Sequence, residues 1–91
     1  MNFEWDSRKA ARNIRKHGVS FHEAATVFGD PLSITYPDPD HSSSEERYLT
    51  VGLSRAGRVL VVAHTDRGGR IRVISARKTT PRERKHYEET T

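Results

Sequence analysis

The chain has 91 residues, 33% of them hydrophobic, with no cysteine and a formal net charge of +4. That length suits one domain over residues 1–91 with a single modest core. It excludes disulfides and thiol nucleophiles, and no apolar run is long enough for a membrane span or a secretory leader, so a reducing cytoplasm is the expected compartment. The charge is uneven: residues 1–46 hold five Lys/Arg against eight Asp/Glu, whereas residues 47–91 hold eleven against four. Twelve of the sixteen cations are arginine, whose planar fork matches a phosphate, so an anionic polymer is the leading partner. A solubilised surface produces the same excess, and charge alone does not choose between the two.

Residues 2–5 alternate as a short strand, with Phe3 and Trp5 on one side and Trp5 expected in the core. Asp6 then offers an N-cap oxygen to a helix over residues 7–16, in which Ala10, Ala11 and Ile14 form the predicted buried face and Arg8, Lys9, Arg12, Arg15 and Lys16 cover much of the rest. The run Lys16-His17-Gly18-Val19 ends it: cations meet the negative end of the dipole, Gly18 suits a left-handed C′ position, and Val19 is placed to touch Ile14. His17 is fully explained there as a dipole partner.

Ser20 and Glu23 form a capping box for a second helix carrying Phe21, Ala24, Ala25 and Phe28, which Gly29-Asp30-Pro31 terminates. The two helices are expected to pair antiparallel. Leu32, Ile34 and Tyr36 suggest a strand that Pro31 and Pro37 confine to a sheet edge. Residues 37–46 carry prolines, aspartates and a serine triplet, the chemistry of one long loop.

Residues 47–54, 58–66 and 70–78 mix β-branched side chains with arginine and are separated by short Gly-containing turns, which predicts a three-stranded antiparallel meander. In the middle strand, Val59, Val61, Ala63 and Thr65 share one face, and Arg58, Leu60, Val62, His64 and Asp66 the other. Both faces are apolar at the centre, so two covers are required. The helix pair supplies one; a C-terminal helix, begun by Thr80-Pro81-Arg82-Glu83 and offering only Tyr87 as a large side chain, or another chain supplies the second. The predicted class is α+β: a short N-terminal strand and two helices packed on an antiparallel meander, with a short C-terminal helix.

Trp5-Asp6, Lys9, Asn13, Lys16-His17-Gly18-Val19, Phe21, Asp30-Pro31, Asp40-His41-Ser42, Glu46-Arg47, Arg58, Ile74-Ser75-Ala76-Arg77, Glu83-Arg84 and Tyr87, in this order and spacing, resemble the BrnT family of bacterial toxins. The resemblance implies a RelE-like α+β fold and a bacterial, cytoplasmic ribonuclease acting on RNA. It also implies neutralisation by a BrnA-like antitoxin with a ribbon-helix-helix DNA-binding region, in a hetero-oligomer that reaches operator DNA only through the antitoxin.

A metal-independent ribonuclease of this kind requires a base for the 2′-hydroxyl, cations for the phosphorane and an acid for the leaving oxygen. Glu46, with Glu45 beside it, and the histidines His41 and His64 are the proton-transfer candidates. Arg47, Arg58, Arg72 and Arg77 are the phosphate candidates, and Lys16 is a candidate RNA contact. Glu46, Arg58, His64 and Arg77 are the expected catalytic set; His41, Arg47, Arg72 and Lys16 are the expected RNA contacts. Arg72 and Arg77 lie five apart, so a regular strand points them to opposite faces, and only a bulge or a strand end unites them. No metal or cofactor is expected, since only Asp38, Asp40 and His41 cluster. A non-catalytic basic module that binds nucleic acid or a partner chain fits the same arginines.

Overall fold

The β-branched and arginine-bearing runs become the centre of a five-stranded sheet of order β1-β5-β4-β3-β2. The computed structural model describes residues 1–38, 40 and 45–90. Its strands are β1 (Asn2–Glu4), β2 (Ile34–Pro37), β3 (Arg47–Leu53), β4 (Val59–Arg67) and β5 (Arg70–Lys78). Its helices are α1 (Ser7–His17), α2 (Phe21–Thr26), continued by a 3-10 turn at Val27–Gly29, and α3 (Pro81–Thr90). The class is α+β, as expected, and the predicted meander is β3-β4-β5. Gly68 and Gly69, both at positive φ, make the β4–β5 turn, the backbone that matches the twist of a tight hairpin.

Two strands extend the meander. β1 runs parallel to β5, pairing Asn2 with Arg70 and Glu4 with Arg72. β2 lies antiparallel to β3 at the far edge, where Pro37 removes no ladder bond that a neighbour needs. No described helix is long and apolar enough to cross a membrane.

One face of the sheet carries the core. Leu60 and Val62 of β4 and Val73 and Ala76 of β5 meet Val19, Phe21, Ala24 and Val27, with Phe3, Trp5, Ala10 and Phe28 packed around them. Trp5 is half-buried and sets its ring edge-on to Phe21 and His22. α1 and α2 each pack chiefly on β5.

The buried face of α1 also differs from the expectation. Asn13 is buried, whereas Ile14 is 51% exposed and Ala11 is exposed. β1 covers β5 only as far as Arg72, so on that side the backbone of Ala76 meets α1 and no further strand. Asn13 supplies one: its Nδ2 donates to the carbonyls of Ala76 (2.8 Å) and Val19 (2.9 Å), and its Oδ1 accepts from the Ala76 N–H (3.1 Å). A buried backbone group left unpaired costs on the order of 1 to 3 kcal/mol, so a polar residue outcompetes the aliphatic here. The helix stop is as expected, with Gly18 left-handed and its N–H bonded to the Ile14 carbonyl. Val19 enters the core, fully buried.

Ser20 caps Glu23, but the Glu23 carboxylate does not return the bond; it turns to Arg58 and Ser54. Between β4 and β5 the register shifts at Ala63/His64: Ala63 faces Ser75 and His64 faces Val73, leaving Ile74 as the extra residue of a bulge.

Candidate functional site

The bulge decides which side chains share a face. Below it Arg72 pairs with Thr65, and above it Arg77 pairs with Val61. Thr65 and Val61 alternate onto the same side of β4, so Arg72 and Arg77 both project from the sheet face opposite the core. Arg47 pairs with Thr65 from the other side, and Glu4 pairs with Arg72. A row Glu4, Arg72, Thr65, Arg47 therefore crosses four strands, with the two guanidinium-bearing backbones two strand spacings apart, about 10 Å. Arg77 lies four residues along β4 from that row, its backbone about 13 Å away.

Charge partners distinguish the arginines. Arg72 donates to Glu4 at 2.9 Å. Arg77 holds Glu83 of α3 through two parallel bonds of 2.8 and 2.9 Å, which pushes the Glu83 carboxyl down to about 2 and raises the arginine. Glu46 sits at the entry to β3, exposed; its carbonyl accepts from Thr65 Oγ1 at 2.6 Å and its carboxylate accepts the Tyr48 hydroxyl, which raises the tyrosine pKa. Glu46 and Arg47 thus begin the same strand end at which the Arg72 row runs. Glu45 pairs with Arg67 at 3.6 Å nearby.

Two members of the expected catalytic set stand elsewhere. His64 alternates onto the core face, 5% exposed, under Phe28 edge-on and beside the stacked Tyr48. Its Nε2 shares a 2.7 Å hydrogen bond with Thr50 Oγ1, which in turn meets Thr35 Oγ1 at 2.8 Å, and its Nδ1 has no partner among the described residues. Burial pushes the imidazole pKa down, against a weaker opposing pull from Asp66. Arg58 precedes β4 at the opposite end of the sheet. It donates to both oxygens of Glu23 and, at 3.1 Å, to the Gly18 carbonyl, tying the α1–α2 corner to the β3–β4 turn. That pairing lowers the Glu23 pKa. Lys16 is exposed on α1, in a groove beside β5, and His41 lies outside the described residues.

The same outer face has an apolar half. Ile34, Tyr36, Leu49, Val51 and Val61 line a cavity of about 420 Å³ closed on one side by Glu83, His86 and Tyr87 of α3. α3 is held over it by Arg77–Glu83 and by the Tyr87 hydroxyl, which donates to Asp30. Burial, together with that carboxylate, pushes the tyrosine up to about 12. Nothing local in the sequence pairs Asp30 with Tyr87. Both belong to the quoted motifs, but 57 residues separate them and only the fold brings them together.

Comparison with known proteins gives two findings. The family described as ribonuclease toxin, BrnT, of type II toxin-antitoxin system has a model that matches residues 5–83. The crystal structure of the Brucella abortus ribonuclease toxin BrnT superposes with a TM-score of 0.69 at 23% identity, covering 88% of this chain and 97% of that one. At that identity it shows a shared fold. No curated protein sequence matches the chain. Membership of a type II system implies an antitoxin partner. With the family model spanning Trp5 to Glu83, the α+β sheet shared with a solved member and the arginine row on the outer face, the chain belongs to the BrnT ribonuclease toxins of type II toxin-antitoxin systems.

Proposed function

We propose that this chain is a metal-independent endoribonuclease of RelE-like type that inhibits translation in the bacterial cytoplasm by cutting RNA on the outer face of its sheet. The observation that carries the reading is the row formed by Arg72, Thr65 and Arg47 on one side of the sheet, with the Glu46 carbonyl tied to Thr65 at the end of that row. Glu46 takes the proton of a 2′-hydroxyl, and the 2′-oxygen attacks the adjacent phosphorus. The bond to the 5′-oxygen breaks and that oxygen takes a proton from water, leaving a 2′,3′-cyclic phosphate and a 5′-hydroxyl. Arg47 and Arg72 stabilise the charge that gathers on the phosphorane. In this reading His64 and Arg58 hold the fold, and Arg77 positions α3.

The apolar cavity next to the row supports the partner reading. A BrnA-like antitoxin, carrying a ribbon-helix-helix region through which alone the complex reaches operator DNA, seats a segment there. Its carboxylates reach the arginines, forming a hetero-oligomer.

The test is incubation of purified protein with end-labelled RNA in EDTA. New 5′-hydroxyl ends are expected; RNA that is retarded on a gel but intact would replace the enzyme by a non-catalytic binding module. Glu46→Gln is expected to lower cleavage by about 10²-fold or more with unchanged RNA affinity. Growth arrest on expression alone, relieved by co-expression of the antitoxin, is the expected cellular outcome.

A further inference from the structure

Arg58, Arg67, Arg72 and Arg77 each have a carboxylate partner, whereas Lys9, Arg12 and Lys16 of α1, like Arg70 and Lys78 at the two ends of β5, form no ion pair among the described residues. α1 contains five Lys/Arg and no Asp or Glu, and Lys9, Arg12 and Lys16 recur at i, i+3 and i+7, so like charges stack along one stripe. Such stacking destabilises an isolated helix. A helix that needed only solubility would mix the signs.

The stripe borders a groove. Lys9, Arg12, Lys16 and His17 line one wall and Ile74 and Ser75 of β5 the other, around a volume of about 220 Å³, with Asn13 as its floor. Asn13 spends its amide on β5 and so fixes the distance between the walls. Ser75 pairs with Ala63, on the outer face that carries Arg72 and Arg77, and its hydroxyl makes no hydrogen bond among the described residues. The groove therefore opens onto the arginine face around the edge of β5, at the bulge, where β1 has already ended. Lys9 to Lys16 spans roughly 10 Å of helix, enough to follow more than one phosphate.

We infer that the groove between α1 and β5 is a second RNA site, in which Lys9, Arg12 and Lys16 bind the backbone phosphates of single-stranded RNA that continues from the outer face past Ser75. The inference rests on the RNA reading above, but it concerns binding and not cleavage. Ligand recognition here is electrostatic and indifferent to base sequence. The groove holds the strand while the Arg72 row acts on it.

The experiment measures fluorescence anisotropy of a labelled, uncleavable 2′-O-methyl RNA against salt concentration. It compares the wild type, Lys9→Gln/Arg12→Gln/Lys16→Gln, and a control of equal charge, Arg8→Gln/Arg15→Gln/Arg55→Gln, none of whose residues lines the groove. The groove variant is expected to bind about tenfold or more weakly, with the slope of log K against log salt reduced by about 2, as loss of three phosphate contacts to a single strand requires. The control is expected to stay within about threefold of the wild type. Because all the substituted residues are exposed and glutamine suits a helix, thermal melting is expected not to fall. Equal losses in the two variants, or full affinity in the groove variant, would overturn the site. A parallel assay with cleavable RNA keeps the two questions apart: a wild type that binds without cutting removes the ribonuclease reading and leaves the groove comparison intact.

Discussion

At the scale of single residues, His64 shows how burial reassigns a group. Its ordinary pKa suits proton transfer, but in the folded protein it lies among Phe28, Tyr48 and Thr50 on the core face, and burial depresses the value. The folded state resists a proton that the unfolded chain accepts near pH 6.5, so the stability due to neutral His64 is present above about pH 6.5 and declines as pH falls below it. The melting temperature of His64→Gln is therefore expected to vary less than that of the wild type from about pH 6.5 downward. RNA cleavage by this variant is expected to stay within about threefold of normal; a loss of about 10²-fold would return His64 to the proton-transfer role. Arg77 presents the complementary case. Its fork is filled by Glu83, so Arg77→Lys is expected to lower stability by roughly 0.5 to 1 kcal/mol while cleavage continues. Loss of cleavage at unchanged melting temperature would instead make Arg77 a phosphate clamp.

At the scale of elements, the strands, caps and stops were legible because each has a local cause: β-branched runs, Asp6 and Ser20 as capping oxygens, and Gly18 and Gly68-Gly69 at positive φ. The bulge was not. Residues 70–78 alternate without a break, and the extra residue at Ile74 is visible only in the pairing with β4. Parity did establish what a bulge would accomplish, the union of Arg72 and Arg77 on one face, and the structure supplies it. Asn13 escaped for a different reason. A polar residue inside a basic helix reads as solvent-facing, and its partners exist only because β1 stops at Arg72 and leaves the β5 edge to α1. Asn13→Ala is accordingly expected to cost about 2 to 4 kcal/mol in denaturant unfolding, since it strands three backbone groups at once. A loss below about 0.5 kcal/mol would show that water or a shifted β1 takes over the pairing. The Gly52→Ala change tests packing on the same sheet: the added Cβ would meet Ser33 Cβ and Val27 Cγ1 at 2.9 Å, and a loss of about 1 to 3 kcal/mol is expected.

At the scale of the whole molecule, three carboxylates with depressed pKa values tie the periphery to the sheet. Glu23 joins α2 to the β3–β4 turn through Arg58. Asp30 joins the start of β2 to β3 and α3: burial acts against its charge, but the Leu53 N–H, the Tyr87 hydroxyl and the Leu32 N–H together outweigh it. Glu83 joins α3 to β5. A carboxyl whose folded value lies below its unfolded one stabilises the protein above the unfolded value, and the stabilisation disappears as pH falls through the folded one. For Glu83 that window runs from 4.5 down to about 2. More than a third of its side chain is exposed, so solvent screening limits the pair to on the order of 1 kcal/mol. α3 buries only Tyr87, and that small contribution is a large part of what keeps the helix on the sheet. The stability of the wild type is thus expected to exceed that of Glu83→Gln by about 1 kcal/mol at neutral pH and to converge with it as pH approaches 2. Denaturant unfolding of both proteins across this range checks the claim. Two curves that run parallel all the way down would mean that Arg77 and Glu83 meet without stabilising the fold, and that Tyr87 on Asp30 alone keeps α3 over the apolar cavity.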